Sequence, residues 1–84
     1  MNELFETNYY RLIKLINEHN VSISGQTFCP LSQSDISKAL NISRPVTSRM
    51  LDELEVGGYI KKLSRSKTQL TQKGMDVIRA LQKI

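Results

Sequence analysis

The chain has one cysteine and one histidine in 84 residues. A lone thiol, Cys29, forms no internal disulfide, and no CxxC pair is present to hold a metal or run redox chemistry. Beside Pro30 it reads as a small hydrophobe. The lone imidazole, His19, has no second ligand near it in sequence. At the end of a helical segment it suits the carbonyls exposed there. Without a glycine-rich phosphate loop or a metal-spaced ligand set, the chain is not expected to be an enzyme or to hold a cofactor or metal. Asp52, Glu53 and Glu55 crowd one helix, where a solvated face accounts for them. No apolar run approaches the roughly 18 residues of a membrane span. Met1-Asn2-Glu3 lacks the charged-then-apolar start of a secretory signal, so a cytoplasmic protein is expected.

What is present suits a globular domain: 39% apolar and 24% charged residues. The length predicts a single domain over residues 1–84 with one modest core. A core of this size is marginal alone, which favours a homodimer. The net charge of +4 is unevenly placed. Over residues 1–37, Arg11 and Lys14 face Glu3, Glu6, Glu18 and Asp35, leaving −2. Over residues 60–73, Lys61, Lys62, Arg65, Lys67 and Lys73 meet no acid, giving +5. A localised basic stripe is the footprint of a surface that meets polyphosphate, although a solvated face would look the same.

Leu4, Phe5, Tyr9, Leu12, Ile13, Leu15 and Ile16 recur at helical spacing and predict a helix over 4–19. They cover about half its circumference, wider than a one-sided stripe, which suits a core on one side and a second subunit on the other. Tyr10 falls outside that arc. Residues 20–31 are expected to form a loop, with room for a short strand around 27–31. Ser32-Gln33-Ser34-Asp35 matches a capping box and opens a second helix with Ile36, Ala39 and Leu40 inward. Asn41 ends it, since asparagine tolerates the left-handed conformation. Ser43 caps a third helix, with Pro45 in its first turn and Val46, Met50, Leu51 and Leu54 inward, ending at Gly57-Gly58. Strands over 59–63 and 68–70 follow, joined by Ser64-Arg65-Ser66-Lys67. Thr71 caps a last helix carrying Val77, Ile78, Ala80, Leu81 and Ile84 on one stripe. Met75 falls off that stripe and is expected to be exposed or to touch a partner.

Helix, helix, three-residue turn, helix, basic hairpin, helix is the plan of a winged helix-turn-helix: mainly α with a small β-hairpin. In that plan the second helix of the pair enters the major groove N-terminus first. With the inward residues fixed, Pro45, Ser48, Arg49 and Asp52 fall outward and Arg44 stands near the exposed end. Arginine grips guanine bidentately and serine adapts to several base edges. The competing role for Arg49 is an ion pair with Glu53.

"SQSDISKALNISRPVTSRMLDELEVGGYI", followed by the hairpin and "LTQKG", resembles the DNA-binding domain of MarR-type winged-helix regulators over about residues 31–76. The resemblance implies a homodimeric regulator with the third helix in the major groove and the wing on the backbone or minor groove. It implies wing contacts from Arg65 and Lys67, with Ser66 between them. It implies phosphate contacts from Ser32, Gln33 and Ser34, beside Ser43, Arg44, Pro45, Ser48 and Arg49 on the third helix. MarR-type proteins are longer and hold an effector pocket between extra dimerisation helices; here no effector site is expected, and a dimer would use the first and last helices. The leading function is a sequence-specific double-stranded DNA-binding transcriptional regulator, most simply a repressor. Two alternatives stay open: a centromere-binding adaptor of a plasmid or phage segregation system, and a winged helix used only for protein–protein contact.

Overall fold

The computed structural model of the protein describes residues 8–82. Leu4, Phe5 and Ile84 lie outside the described residues, as does the side chain of Leu81. Helix α1 runs Asn8–Glu18 and buries Leu12, Ile13 and Ile16. His19 closes it, its Nδ1 donating to the Leu15 carbonyl at 3.0 Å.

The segment expected to be a loop forms a hairpin instead: β1 (Val21–Ile23) pairs antiparallel with β2 (Gln26–Phe28). Ser24 and Gly25 both take positive φ, 52° and 79°. That is the two-residue turn whose twist matches paired strands. Past β2, Cys29 bridges to Thr68 in the second hairpin.

Helix α2 (Gln33–Leu40) starts on the expected capping box: the Asp35 N–H donates to Ser32 Oγ and the Ser32 N–H to the Asp35 carboxylate. Asn41 ends it at φ 57°, left-handed as expected. The inward face differs by one residue. Ser37 is buried and Ala39 is exposed, because Ser37 satisfies its own hydroxyl on the Ser34 carbonyl at 3.0 Å and so tolerates burial. Arg11 of α1 donates to the Leu40 carbonyl, supplying the cation that a helix C-terminus favours.

Helix α3 (Arg44–Val56) buries Thr47, Met50, Leu51 and Leu54, with Val46 half-buried at the edge. Thr47 was not expected inside, yet it is 0% exposed. Its hydroxyl donates to the Ser43 carbonyl, so burial leaves no polar atom unpaired. Strands β3 (Ile60–Ser64) and β4 (Lys67–Leu70) form the wing. Helix α4 (Gln72–Gln82) is capped by Thr71, whose Oγ1 accepts the Gly74 N–H at 3.2 Å. Ile78 is buried, Val77 half-buried and Ala80 exposed, so the stripe is narrower than expected. Met75 packs partly buried against the core rather than standing free, and Tyr10 is likewise half-buried. The core runs through Leu12, Ile16, Ile36, Leu51 and Ile60. All three leading helices and the wing therefore hang on one apolar centre, which holds α3 with its polar side outward.

Candidate nucleic-acid interface

The front of α3 is built locally. Ser43 Oγ accepts the Val46 N–H at 3.3 Å and Pro45 occupies the first turn, where a missing donor costs nothing. Burial of Thr47, Met50, Leu51 and Leu54 then sets the helix phase. Arg44, Pro45 and Arg49 are exposed; Ser48 is half-buried. Among the described residues no carboxylate pairs with Arg49: Glu53, the partner in its competing role, accepts instead from the Tyr9 hydroxyl of α1. That hydrogen bond, then burial and the Glu53 charge, push the Tyr9 phenol up against the opposing pull of Arg49.

Three separate segments converge beside this helix. Ser32, Gln33 and Ser34 at the start of α2, Arg44 at the start of α3, and Arg65 and Ser66 at the wing tip line one open groove of about 480 Å³. The capping box uses the Asp35 N–H, so Gln33 and Ser34 keep N–H groups without an intrahelical partner at a helix N-terminus, where anions are favoured. Two guanidiniums and the start of α2 thus face one cleft, an arrangement suited to a phosphate chain. The groove joins residues that lie over 30 positions apart only through the fold.

The rest of the basic stripe is less available than its sequence suggests. Lys62 is hydrogen-bonded to Asp52 and 3.8 Å from Glu55, and the Asp52 bond holds its ammonium above the usual lysine range. Lys73 donates to the Gly57 carbonyl at 2.7 Å and lies 4.5 Å from the Tyr59 ring centre. Lys67, expected as a wing contact, lies over Phe28 at 4.9 Å, on the side of the first hairpin and not among the residues lining the groove. These cations look alike in the sequence; their partners come from other elements and leave no local signal. Among the described residues no helix is long and apolar enough to cross a membrane, and no cluster of His, Cys, Asp and Glu could hold a metal.

A family model described as the Crp-like helix-turn-helix domain matches residues 10–81. A riboflavin kinase of Thermoplasma acidophilum is 34% identical over 76 residues; the match covers 87% of this chain but only 33% of that protein. Among solved structures, a CRP/FNR-family transcriptional regulator of Thermus thermophilus superposes with a TM-score of 0.74 at 16% identity, covering 96% of this chain and 43% of that one. The reduced CO-sensing protein of R. rubrum gives 0.71 at 19% identity, covering 88% and 37%. The chain therefore spans well under half of the length of each of these proteins. The winged helix-turn-helix expected from the sequence is present, and the family model that matches it is Crp-like; the likeness to MarR-type regulators is one of architecture. With its wing, its capped third helix and a match over residues 10–81, the chain belongs to the Crp-like helix-turn-helix domain family.

Proposed function

We propose that the chain binds specific double-stranded DNA as a repressor, with α3 in the major groove and the wing tip on the backbone or minor groove. The observation that carries this is the groove shared by the α2 start, Arg44 and the wing tip. It flanks the exposed front of α3, so one duplex can meet Arg49 at base edges while its phosphates meet Arg44 and Arg65. A homodimer through α1 and α4 belongs to the same reading. It is supported by the small core and by Tyr9, still 39% exposed on α1. Sedimentation showing a monomer at micromolar concentration would remove the dimer and leave the DNA reading intact. The kinase relative supports only the module: the matched segment is a third of that protein, and this segment folds as a winged helix.

The test of base reading is Arg49→Ala on a duplex that the wild-type chain selects from a random pool. Loss of about 1–3 kcal/mol on that duplex, with a smaller loss on random DNA, is expected of a base contact. Equal losses on both make Arg49 a phosphate clamp. No loss on either removes it from the interface.

A further inference from the structure

Lys62 stands where the wing lies against the recognition helix. Its ammonium is bonded to Asp52 and lies 3.8 Å from Glu55 Oε1, while its backbone N–H donates to Glu55 Oε2 at 2.9 Å. Among the described residues β3 pairs only with β4, so Glu55 takes a donor from the unpaired edge of the strand. Immediately beyond, the ladder slips: Lys62 opposes Thr68 but Ser64 opposes Lys67, leaving Leu63 as a bulge. A bulge bends its strand and re-aims the residues after it. Those residues form the tip that carries Arg65 into the groove. Beneath the wing, a cavity of about 260 Å³ lies between Ile36 and Leu51 on one side and Leu63 and Arg65 on the other. Close packing against α2 therefore does not fill the space beside the tip.

We infer that the Asp52–Lys62–Glu55 clasp is the positioning device of the wing, fixing its angle to α3 so that Arg65 reaches DNA while α3 occupies the major groove. The inference rests on the proposed role of Arg65 as a DNA contact. An exposed ion pair adds little to stability. A carboxylate that also accepts a backbone N–H from another element fixes geometry, and here it does so at the last regular position before the bulge. The clasp also explains two acids on a helix that approaches phosphate. Unpaired, they would repel it; held by Lys62, they join the helix to its wing.

The test is a double-mutant cycle on the full chain with the duplex selected by the wild type. Arg65→Ala is expected to weaken binding about fivefold in the wild-type background and to change it by less than about 1.5-fold in a Glu55→Ala background. Glu55→Gln, which keeps an acceptor for the Lys62 N–H, is expected to restore most of the difference. Hydroxyl-radical footprints should show protection under the wing lost in Glu55→Ala and protection under α3 kept. A general loss of stability would lower both together. Where Glu55→Ala melts, Asp52→Asn serves, with the same shortfall expected on a smaller scale. An equal loss from Arg65→Ala in every background overturns the inference. No loss from Arg65→Ala in the wild type also overturns it, and leaves the role of α3 to stand or fall on Arg49.

Discussion

Cys29 and Thr68 exchange both backbone hydrogen bonds, at 2.7 and 3.0 Å, and so join the first hairpin to the wing. The pairing seals the thiol: Cys29 is 0% exposed, and burial pushes its pKa up against a weaker opposing bond from Leu31. A thiol that must stay neutral in the fold contributes stability fully present below its unfolded pKa, near 9.0, and lost as pH rises through the folded value. Modification by a disulfide reagent at pH 8 is expected to be more than about a hundredfold slower in the native protein than in denaturant, because the thiolate forms only on opening. Rapid native modification would mean that the two hairpins separate readily.

Gly74 sits in the first turns of α4 with its α-carbon against the wing base: an added Cβ would overlap the Tyr59 carbonyl oxygen and come within 3.1 Å of Leu70. Alanine is worth about 1 kcal/mol over glycine in a helix interior. Overlap with fixed backbone costs more, so Gly74→Ala is expected to lose about 2 kcal/mol net, or roughly 10 °C in Tm. An unchanged or raised Tm would show that α4 can shift off the wing.

Ser32 and Asp35 close the front of α2. Ser32→Ala is expected to cost about 1 kcal/mol in a thermal melt at neutral pH. The Ser32 backbone N–H, then its hydroxyl, hold the Asp35 carboxyl below its ordinary value. Its contribution is therefore complete above the unfolded carboxylate pKa and lost as pH falls through the folded one. The stability gap between wild type and Asp35→Asn should be flat from pH 7 to about 5 and should close below that. A gap constant down to pH 2 would assign the effect to shape and not to charge.

The parts of the fold that were legible in the sequence are those whose cause is local. Ser32 and Asp35 cap each other across three residues, Asn41 needs only its own φ, and Ser43 with Pro45 starts α3 without help from elsewhere. The first hairpin carried a local signal too: Val21-Ser22-Ile23 and Gln26-Thr27-Phe28 alternate about Ser24-Gly25. The polar residues of that stretch suggested a loop, and the left-handed Ser-Gly turn decided otherwise. Thr47 was hidden by its chemistry, because a hydroxyl looks outward until its bond to the preceding turn is known. The groove is a tertiary product. The resemblance to winged-helix regulators put Ser32, Arg44 and Arg65 on DNA, but residue by residue they only looked exposed and polar, and the packed core is what brings them into one cleft. The same holds for Lys62, whose partners lie on the preceding helix.

That difference between counting a charge and placing it yields a direct comparison. Arg65→Ala and Lys73→Ala each remove one unit from a chain of net charge +4, and both residues belong to the same basic stripe. Arg65 lines the groove, whereas Lys73, also exposed, is engaged with the Gly57 carbonyl and the Tyr59 ring and lies outside the groove lining. Each phosphate contact contributes about 0.9 to the slope of log K against log salt on duplex DNA. Arg65→Ala is therefore expected to reduce the slope by about 1, and Arg44→Ala by a similar amount. Lys73→Ala should leave the slope unchanged, its loss appearing as a small drop in thermal stability. Binding to a fixed duplex, titrated between about 50 and 300 mM salt, separates the cases. Equal changes for Arg65→Ala and Lys73→Ala would mean that the duplex senses only total charge, and the groove would then not be where phosphate binds.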